Sequence, residues 1–212
     1  TGNTISLTLD ADLNNAAYNA MAGQKGAVAL YNYRTGDILC MLSTPAYDPD
    51  DKAEIARVDA GDSKYDGDYL NRFLSSTYTP GSTFKLVTSA AALETLHNES
   101  SFSYTCSGSL TVNGEKITCP SVHGSQNFAS ALANSCNGAF ATLAIEVGGE
   151  TLKVMPSLPA CCKASTSAVS PRPPAVSPPP ATKTPGWSGV GQYEDLVNPC
   201  AELTLMGCIA GG

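Results

Sequence analysis

No run of eighteen consecutive apolar residues occurs in the 212-residue chain, so no segment is long and apolar enough to cross a bilayer as a helix. Positive charge is also scarce. Twelve Lys and Arg stand against nineteen Asp and Glu, a formal net charge of −7, which offers a nucleic-acid backbone or an anionic membrane surface little to hold. Only two histidines are present, His97 and His123, and neither has the partner pattern of a Ser-His-Asp triad. The eight cysteines (40, 106, 119, 136, 161, 162, 200, 208) are too few for a disulfide scaffold of this length and include no Cys-x-x-Cys pair to suggest structural zinc. The start, Thr1-Gly2-Asn3-Thr4, has neither an initiator Met nor a basic leader, and the chain is expected to be a piece of something longer. What is present is 42% hydrophobic and 15% charged residues, enough for the core of one domain or one and a half.

Residues 5–9 (Ile-Ser-Leu-Thr-Leu) alternate like a half-buried strand, and Asp10 is placed to cap a helix running through Leu13, Ala17 and Met21 to a stop at Gly23. Two strand-like runs, 26–33 and 38–43, flank Arg34-Thr35-Gly36-Asp37 and predict a hairpin. The stretch 45–68 is rich in Asp, Pro and Gly and reads as loop with at most a short helix near 52–58. From Ser82 to His97 apolar residues are dense enough to predict a buried helix. A second hairpin is expected over 103–119 around Asn113-Gly114, with Cys106 and Cys119 on its two arms. Helices near 126–134 and 138–147 follow, then one from Pro199 to Ile209. Residues 155–186 hold nine of the fourteen prolines and no acid, and they are expected to form no regular structure of their own.

The segment that carries chemistry is Thr79-Pro80-Gly81-Ser82-Thr83-Phe84-Lys85. A spacing of three puts Ser82 and Lys85 on one helical face. A serine hydroxyl attacks a carbonyl only when a base takes its proton, and a lysine in an apolar wall can have its pKa lowered enough to be that base. N–H groups at the mouth of the helix point where an oxyanion would develop. Alone, the spacing fits a capping serine and a solvated lysine better than a catalytic pair. The second element is Ser135-Cys136-Asn137, at a break between two helices, where a hydroxyl can relay a proton and a carboxamide can hold a substrate amide.

The two elements, in this order and separation, resemble the Ser-x-x-Lys and Ser-x-Asn elements of penicillin-binding proteins and serine β-lactamases. The chain is similar to the transpeptidase domain of a class B penicillin-binding protein, of Gram-positive, Clostridium-like type. The similarity runs through residues 7–13, 26–30, 35–45, 47–49, 71–72, 80–85, 123–124, 135–137 and 191–199. The resemblance implies an α/β (α+β) fold in which an antiparallel sheet is flanked by a helical subdomain. The whole chain, 1–212, would then be one partial transpeptidase domain. It further implies a D,D-transpeptidase that cross-links peptidoglycan stem peptides ending in D-Ala-D-Ala through a serine acyl-enzyme and is inhibited by β-lactams. Ser82 would be the nucleophile, Lys85 its base, Ser135 the proton shuttle and Asn137 the ligand of a substrate amide. No cofactor or metal and no nucleic acid is implied. A SEDS-type glycosyltransferase is an implied partner, at the outer face of the cytoplasmic membrane, with an anchor ahead of Thr1. A β-lactamase, a β-lactam sensor and an inactive fragment are the alternatives.

The third element of the resemblance, Lys-Thr-Gly on a strand, is expected beyond Gly212, together with the remaining sheet strands, so the chain as written is expected not to turn over substrate by itself. Lys183-Thr184-Pro185 does not fit that element, because it precedes Gly191-Gln192 and Pro185 has no N–H for a strand. Cys106 and Cys119, on facing hairpin arms in an exported domain, are candidates for a disulfide. With His123 they are a partial zinc set of only three ligands. Cys136 is expected to stay unpaired, since a crosslink would pull on the loop carrying Ser135 and Asn137.

Overall fold

The computed structural model describes residues 2–154, 176–177, 185–192 and 195–211. These fall into two compact units, 2–77 with 198–211, and 78–154 with 176–177, 185–192 and 195–197.

In the first unit the expected cap forms. The Asp10 carboxylate accepts the Leu13 N–H and opens helix α1 (Ala11–Met21), which ends on Ala22 in the left-handed region, one residue before the expected Gly23. Strands β1 (Gly26–Tyr31) and β2 (Ile38–Thr44) make the expected antiparallel hairpin, with Leu30 opposite Cys40 and Gly26 opposite Thr44. Helix α1 lies along β2, and Asn14 stitches the two by donating to the Leu39 carbonyl and accepting the Met41 N–H. The expected strand at 5–9 does not form. Thr8 and Asp10 bond to the Ile38 and Leu39 carbonyls, but no ladder follows, and Ile5 and Leu7 stay 80% and 70% exposed. Alternation gives a segment two faces; without a paired neighbour it does not become a strand. Short helices α2 (Lys52–Asp59) and α3 (Arg72–Ser75) complete the loop-rich stretch, and the buried Arg72 guanidinium is spent on the Gly67 and Asp66 carbonyls.

The second unit holds the helical core. A single 3-10 turn, Gly81–Phe84, leads into α4 (Lys85–Thr95), where the sequence predicted one continuous helix. Helix α4 buries one face, while Ala90 and Leu93 remain exposed. Strand β3 (Tyr104–Cys106) is followed by the Asn113-Gly114 hairpin of β4 (Ser109–Val112) and β5 (Glu115–Thr118), and then by β6 (Gly124–Gln126). The hairpin is tighter than expected, because Gly108 at φ +95° turns the chain after Cys106, so β3 leaves β4 and pairs with β6. Helices α5 (Phe128–Ala133) and α6 (Asn137–Val147) follow as expected, and then α7 (Gly149–Val154). Helix α6 is mostly apolar, leaves Ile145 and Glu146 exposed, and buries seven residues, including Phe140 and Leu143, against α4 and α5. Phe102 and Phe128 meet edge to face at 6.0 Å between ring centroids, and Phe128 and Phe140 are tilted against each other at 6.4 Å.

Most of the proline-rich stretch lies outside the described residues. Within it, contrary to the expectation of no regular structure, Val176–Ser177 form strand β7 and Pro185 opens helix α8 (Pro185–Ser188). Strand β8 (Leu196–Val197) supplies the antiparallel edge that β7 needs. Pro185 therefore begins a helix, not a strand, and Lys183 and Thr184 lie outside the described residues. Returning to the first unit, helix α9 (Pro199–Gly211) is capped by the fully buried Asn198. Its carboxamide donates to the Leu74 and Ser76 carbonyls at 2.9 Å each and accepts the Cys200 N–H.

Candidate active site

The second unit brings Ser82, Lys85, Ser135 and Asn137 together. Ser82 sits exposed in the 3-10 turn ahead of α4. The turn is pinned by the Gly81 N–H to the Gly191 carbonyl at 2.8 Å, and the Thr88 hydroxyl donates to the Gly189 carbonyl one turn further on. Gly191 has φ +70°, and a Cβ there would drive into the Gly81 carbonyl and the Phe84 side chain, so only glycine lets the two segments meet.

Ser135 lies between α5 and α6 in the left-handed region, φ +50°, an unfavourable setting for a non-glycine residue that its surroundings must hold. The bonds from the Ser135 N–H to the Leu132 carbonyl and from the Cys136 N–H to the Ala131 carbonyl wrap the end of α5 and aim the hydroxyl at Ser82. The two hydroxyl oxygens are 2.9 Å apart. Asn137 opens α6, and its carboxamide donates to the Thr118 carbonyl at 2.7 Å. Gly138 is required beside it, since a Cβ would strike the Tyr104 hydroxyl.

Lys85 is 1% exposed, and its Nζ lies 3.3 Å from Ser82 Oγ, 2.7 Å from the Ser135 carbonyl, 2.8 Å from Ser135 Oγ and 2.6 Å from Asn137 Oδ1. An ammonium has three protons for these four partners. A free amine suits them better, with its N–H groups on the carbonyl and carboxamide oxygens and its lone pair open to a serine proton. Burial pushes the Lys85 pKa down, partly offset by the neighbouring Cys119 and Cys136. Among the described residues no carboxylate pairs with Lys85. The set has the parts of nucleophilic catalysis: a hydroxyl, a buried amine within reach of its proton, and a second hydroxyl touching both.

Next to this set is a feature the sequence reading missed. The ligand atoms of Cys106, Cys119, His123 and Cys136 all lie within 4.8 Å of one another. Cys106 ends β3, Cys119 follows β5, His123 precedes β6, and Cys136 is the middle residue of Ser135-Cys136-Asn137. The expected Cys106–Cys119 disulfide is not formed, and Cys106, Cys119 and Cys136 are all free thiols. The Cys119 sulfur lies between two partners, 3.8 Å from that of Cys136 and in hydrogen-bond contact with Cys106. Burial opposes ionisation of Cys106, but hydrogen bonds from the His123 and Gly108 backbone bring its thiol down to about 6, while burial pushes Cys119 up to about 11. Three ligands were visible in the sequence. The fourth, Cys136, could have been suspected from a lone cysteine flanked by two site residues.

A profile of the penicillin-binding protein transpeptidase domain matches residues 26–156. The chain is 29% identical over 237 aligned residues to the peptidoglycan D,D-transpeptidase PbpA of Mycobacterium tuberculosis, covering 100% of this chain and 47% of that protein. It is 34% identical over 153 residues to stage V sporulation protein D of Bacillus subtilis, covering 70% of this chain and 22% of that one. The chain thus spans about half the length of the mycobacterial relative. Among solved structures, the penicillin G acyl-enzyme complex of M. tuberculosis penicillin-binding protein A superimposes with a TM-score of 0.73 at 27% identity, over 96% of this chain and 51% of that one. The D,D-transpeptidase domain of an Eggerthella lenta peptidoglycan glycosyltransferase superimposes with a TM-score of 0.65 at 33% identity, over 74% of this chain and 37% of that one.

Proposed function

Since the chain belongs to the penicillin-binding protein transpeptidase family, class B-like, we propose that it carries the acylating half of a D,D-transpeptidase that cross-links peptidoglycan and is trapped by β-lactams. The observation that carries the reading is the closed triangle of Ser82 Oγ, Lys85 Nζ and Ser135 Oγ, with sides of 3.3, 2.8 and 2.9 Å.

The chemistry follows from that triangle. Lys85, as the free amine, takes the Ser82 proton while Oγ bonds to the carbonyl carbon of the stem peptide's penultimate D-Ala. The Ser135 hydroxyl, touching both groups, passes a proton to the departing amine of the terminal D-Ala as the C–N bond breaks, leaving an ester on Ser82. An amine of a second stem peptide then attacks the ester, and the proton path runs in reverse. A β-lactam amide enters the same way, but its amine stays tethered. Asn137, whose Oδ1 is held by Lys85 and one N–H by Thr118, retains a second N–H for a substrate carbonyl.

Peptidoglycan placement argues for work on the outer face of the cytoplasmic membrane, with a SEDS-type glycosyltransferase supplying the glycan strand. The test is labelling of the complete domain, with its Lys-Thr-Gly strand, by a fluorescent penicillin followed by peptide mass mapping. Label is expected on Ser82, and Ser82→Ala is expected to lose it while its circular dichroism and melting temperature hold. Label on a different serine overturns the reading.

A further inference from the structure

We infer that Gln126 is a positioning residue for the catalytic loop: its buried carboxamide, bonded to the side chain of Asn134, fixes the residue next to Ser135 and so holds the Ser135 hydroxyl between Ser82 and Lys85. The catalytic consequence rests on the transpeptidase reading; the hold on the loop does not.

Gln126 is the last residue of β6 and is 3% exposed. A carboxamide is costly to bury unless a protein partner replaces its lost hydration. Here one bond does so, from Asn134 Nδ2 to Gln126 Oε1 at 2.8 Å. Gln126 Nε2 is buried with no hydrogen-bond partner among the described residues. An apolar side chain would fill this space without leaving an N–H unsatisfied, so the bond to Asn134 is what the glutamine contributes.

The place of that bond gives it leverage. Asn127 caps α5 at its start and Asn134 caps it at its end, so Gln126 and Asn134 flank a helix of six residues. A helix that short is marginal by itself, and it hands the chain directly to Ser135 at φ +50°. The Asn134 N–H donates to the Ser130 carbonyl and the Ser135 N–H to the Leu132 carbonyl, both at 2.9 Å. The Gln126–Asn134 bond ties this last turn back to the strand before it, so α5 cannot unwind at its end without giving up a contact with a buried carboxamide.

Strand pairing anchors the other end of the same loop. Tyr104 lies opposite Gln126 across β3 and β6, and directly opposed residues present their side chains to one face. The Tyr104 hydroxyl packs against Gly138, where a Cβ would strike it. One cross-strand pair therefore touches both ends of 134–138, Gln126 at Asn134 and Tyr104 at Gly138. Between those ends the Ser135 hydroxyl meets Lys85 Nζ at 2.8 Å and Ser82 Oγ at 2.9 Å. A misplacement of about 1 Å is enough to cost on the order of 10²-fold in rate.

The test uses the complete domain, with its Lys-Thr-Gly strand, and starts from Asn134, which is exposed and can be changed without opening the core. Asn134→Ala should lower the rate constant for acylation by a fluorescent penicillin by on the order of 10–10²-fold, with the non-covalent affinity unchanged. Asn134→Asp should restore the rate, because the Gln126 amide can turn round and donate its Nε2–H to the carboxylate. Gln126→Leu should match Asn134→Ala, and the double variant should lose no more than either alone. Amide hydrogen exchange over 133–137 should quicken in Asn134→Ala and not in Asn134→Asp, a readout that involves no serine chemistry. An Asn134→Ala rate close to wild type, a loss confined to affinity, losses that add in the double variant, or Asn134→Asp as slow as Asn134→Ala would overturn the positioning role. Unchanged exchange in Asn134→Ala would overturn the hold on the loop. Wild-type protein that takes no label on Ser82 would overturn the transpeptidase reading, and the exchange measurement would still decide whether the bond holds the loop.

Discussion

Replacing Lys85 with Met separates catalysis from stability, because the amine is buried for its chemistry and packing asks only for its stem. Removing the base should slow acylation by about 10²–10⁴-fold, or about 3–5 kcal/mol in the barrier. The fold has two opposing changes to absorb. Met loses the hydrogen bonds to the Ser135 carbonyl and Asn137 Oδ1, each about 0.5–1.5 kcal/mol net. It also removes an amine whose charged form is disfavoured by burial. The aliphatic stem and its place over the Phe140 ring, 5.8 Å from Nζ, suit a thioether. The two effects roughly offset near neutral pH.

The pH dependence has a definite sign. The folded pKa of Lys85 lies below the ordinary value of 10.5, so between the two the unfolded chain holds more protons and stability rises with pH. Wild-type protein should therefore gain on Lys85→Met as pH climbs from neutral toward 10, and its acylation rate should rise along a limb lying below pH 10.5. The assays, on the complete domain with its Lys-Thr-Gly strand, are second-order acylation by a fluorescent penicillin and thermal melts across that range. An acylation rate for Lys85→Met within tenfold of wild type would place the base on another residue. A wild-type stability that falls over the same pH window would refute the buried-amine argument.

Gly191→Ala should destabilise by about 3 kcal/mol or more, since the Cβ meets the Gly81 carbonyl and the backbone is at positive φ; a denaturant midpoint close to wild type would mean that the 81–84 turn can shift. Asn198→Leu should cost about 2–4 kcal/mol by leaving the Leu74 and Ser76 carbonyls without donors and α9 uncapped, read from urea unfolding, and a neutral result would show that water replaces the amide.

The local signals were legible where one residue decides the outcome. Asp10 caps α1, Asn113-Gly114 turns a hairpin, and the three-residue spacing of Ser82 and Lys85 brings hydroxyl and amine within 3.3 Å. Ser135 and Asn137 stood out as a polar break between two helices, but their tie to Lys85 was legible only through family resemblance, because contact with a lysine fifty residues away is not written in local pattern. What escaped depends on which strand finds which. Residues 5–9 have the alternation of a strand but gain no ladder, and the pairing of β3 with β6 was missed because the reversal at Gly108 cannot be told from an ordinary glycine in a strand. The Cys3His cluster was hidden for the same reason, since the direction of Cys136 is set when α6 packs against β5.

The bond from Thr88 to the Gly189 carbonyl spans 101 residues of sequence, and that separation bears on the order in which the molecule folds. Closing a chain of that length costs on the order of 4 kcal/mol in entropy before any contact repays it, and contacts so distant along the chain slow folding. In a chain made from its N-terminus, the nucleophile's turn emerges long before the glycines that pin it. Ser82 and Lys85 are therefore synthesised well before the segment that fixes their working geometry, so a chain halted between the two exposes no reactive serine.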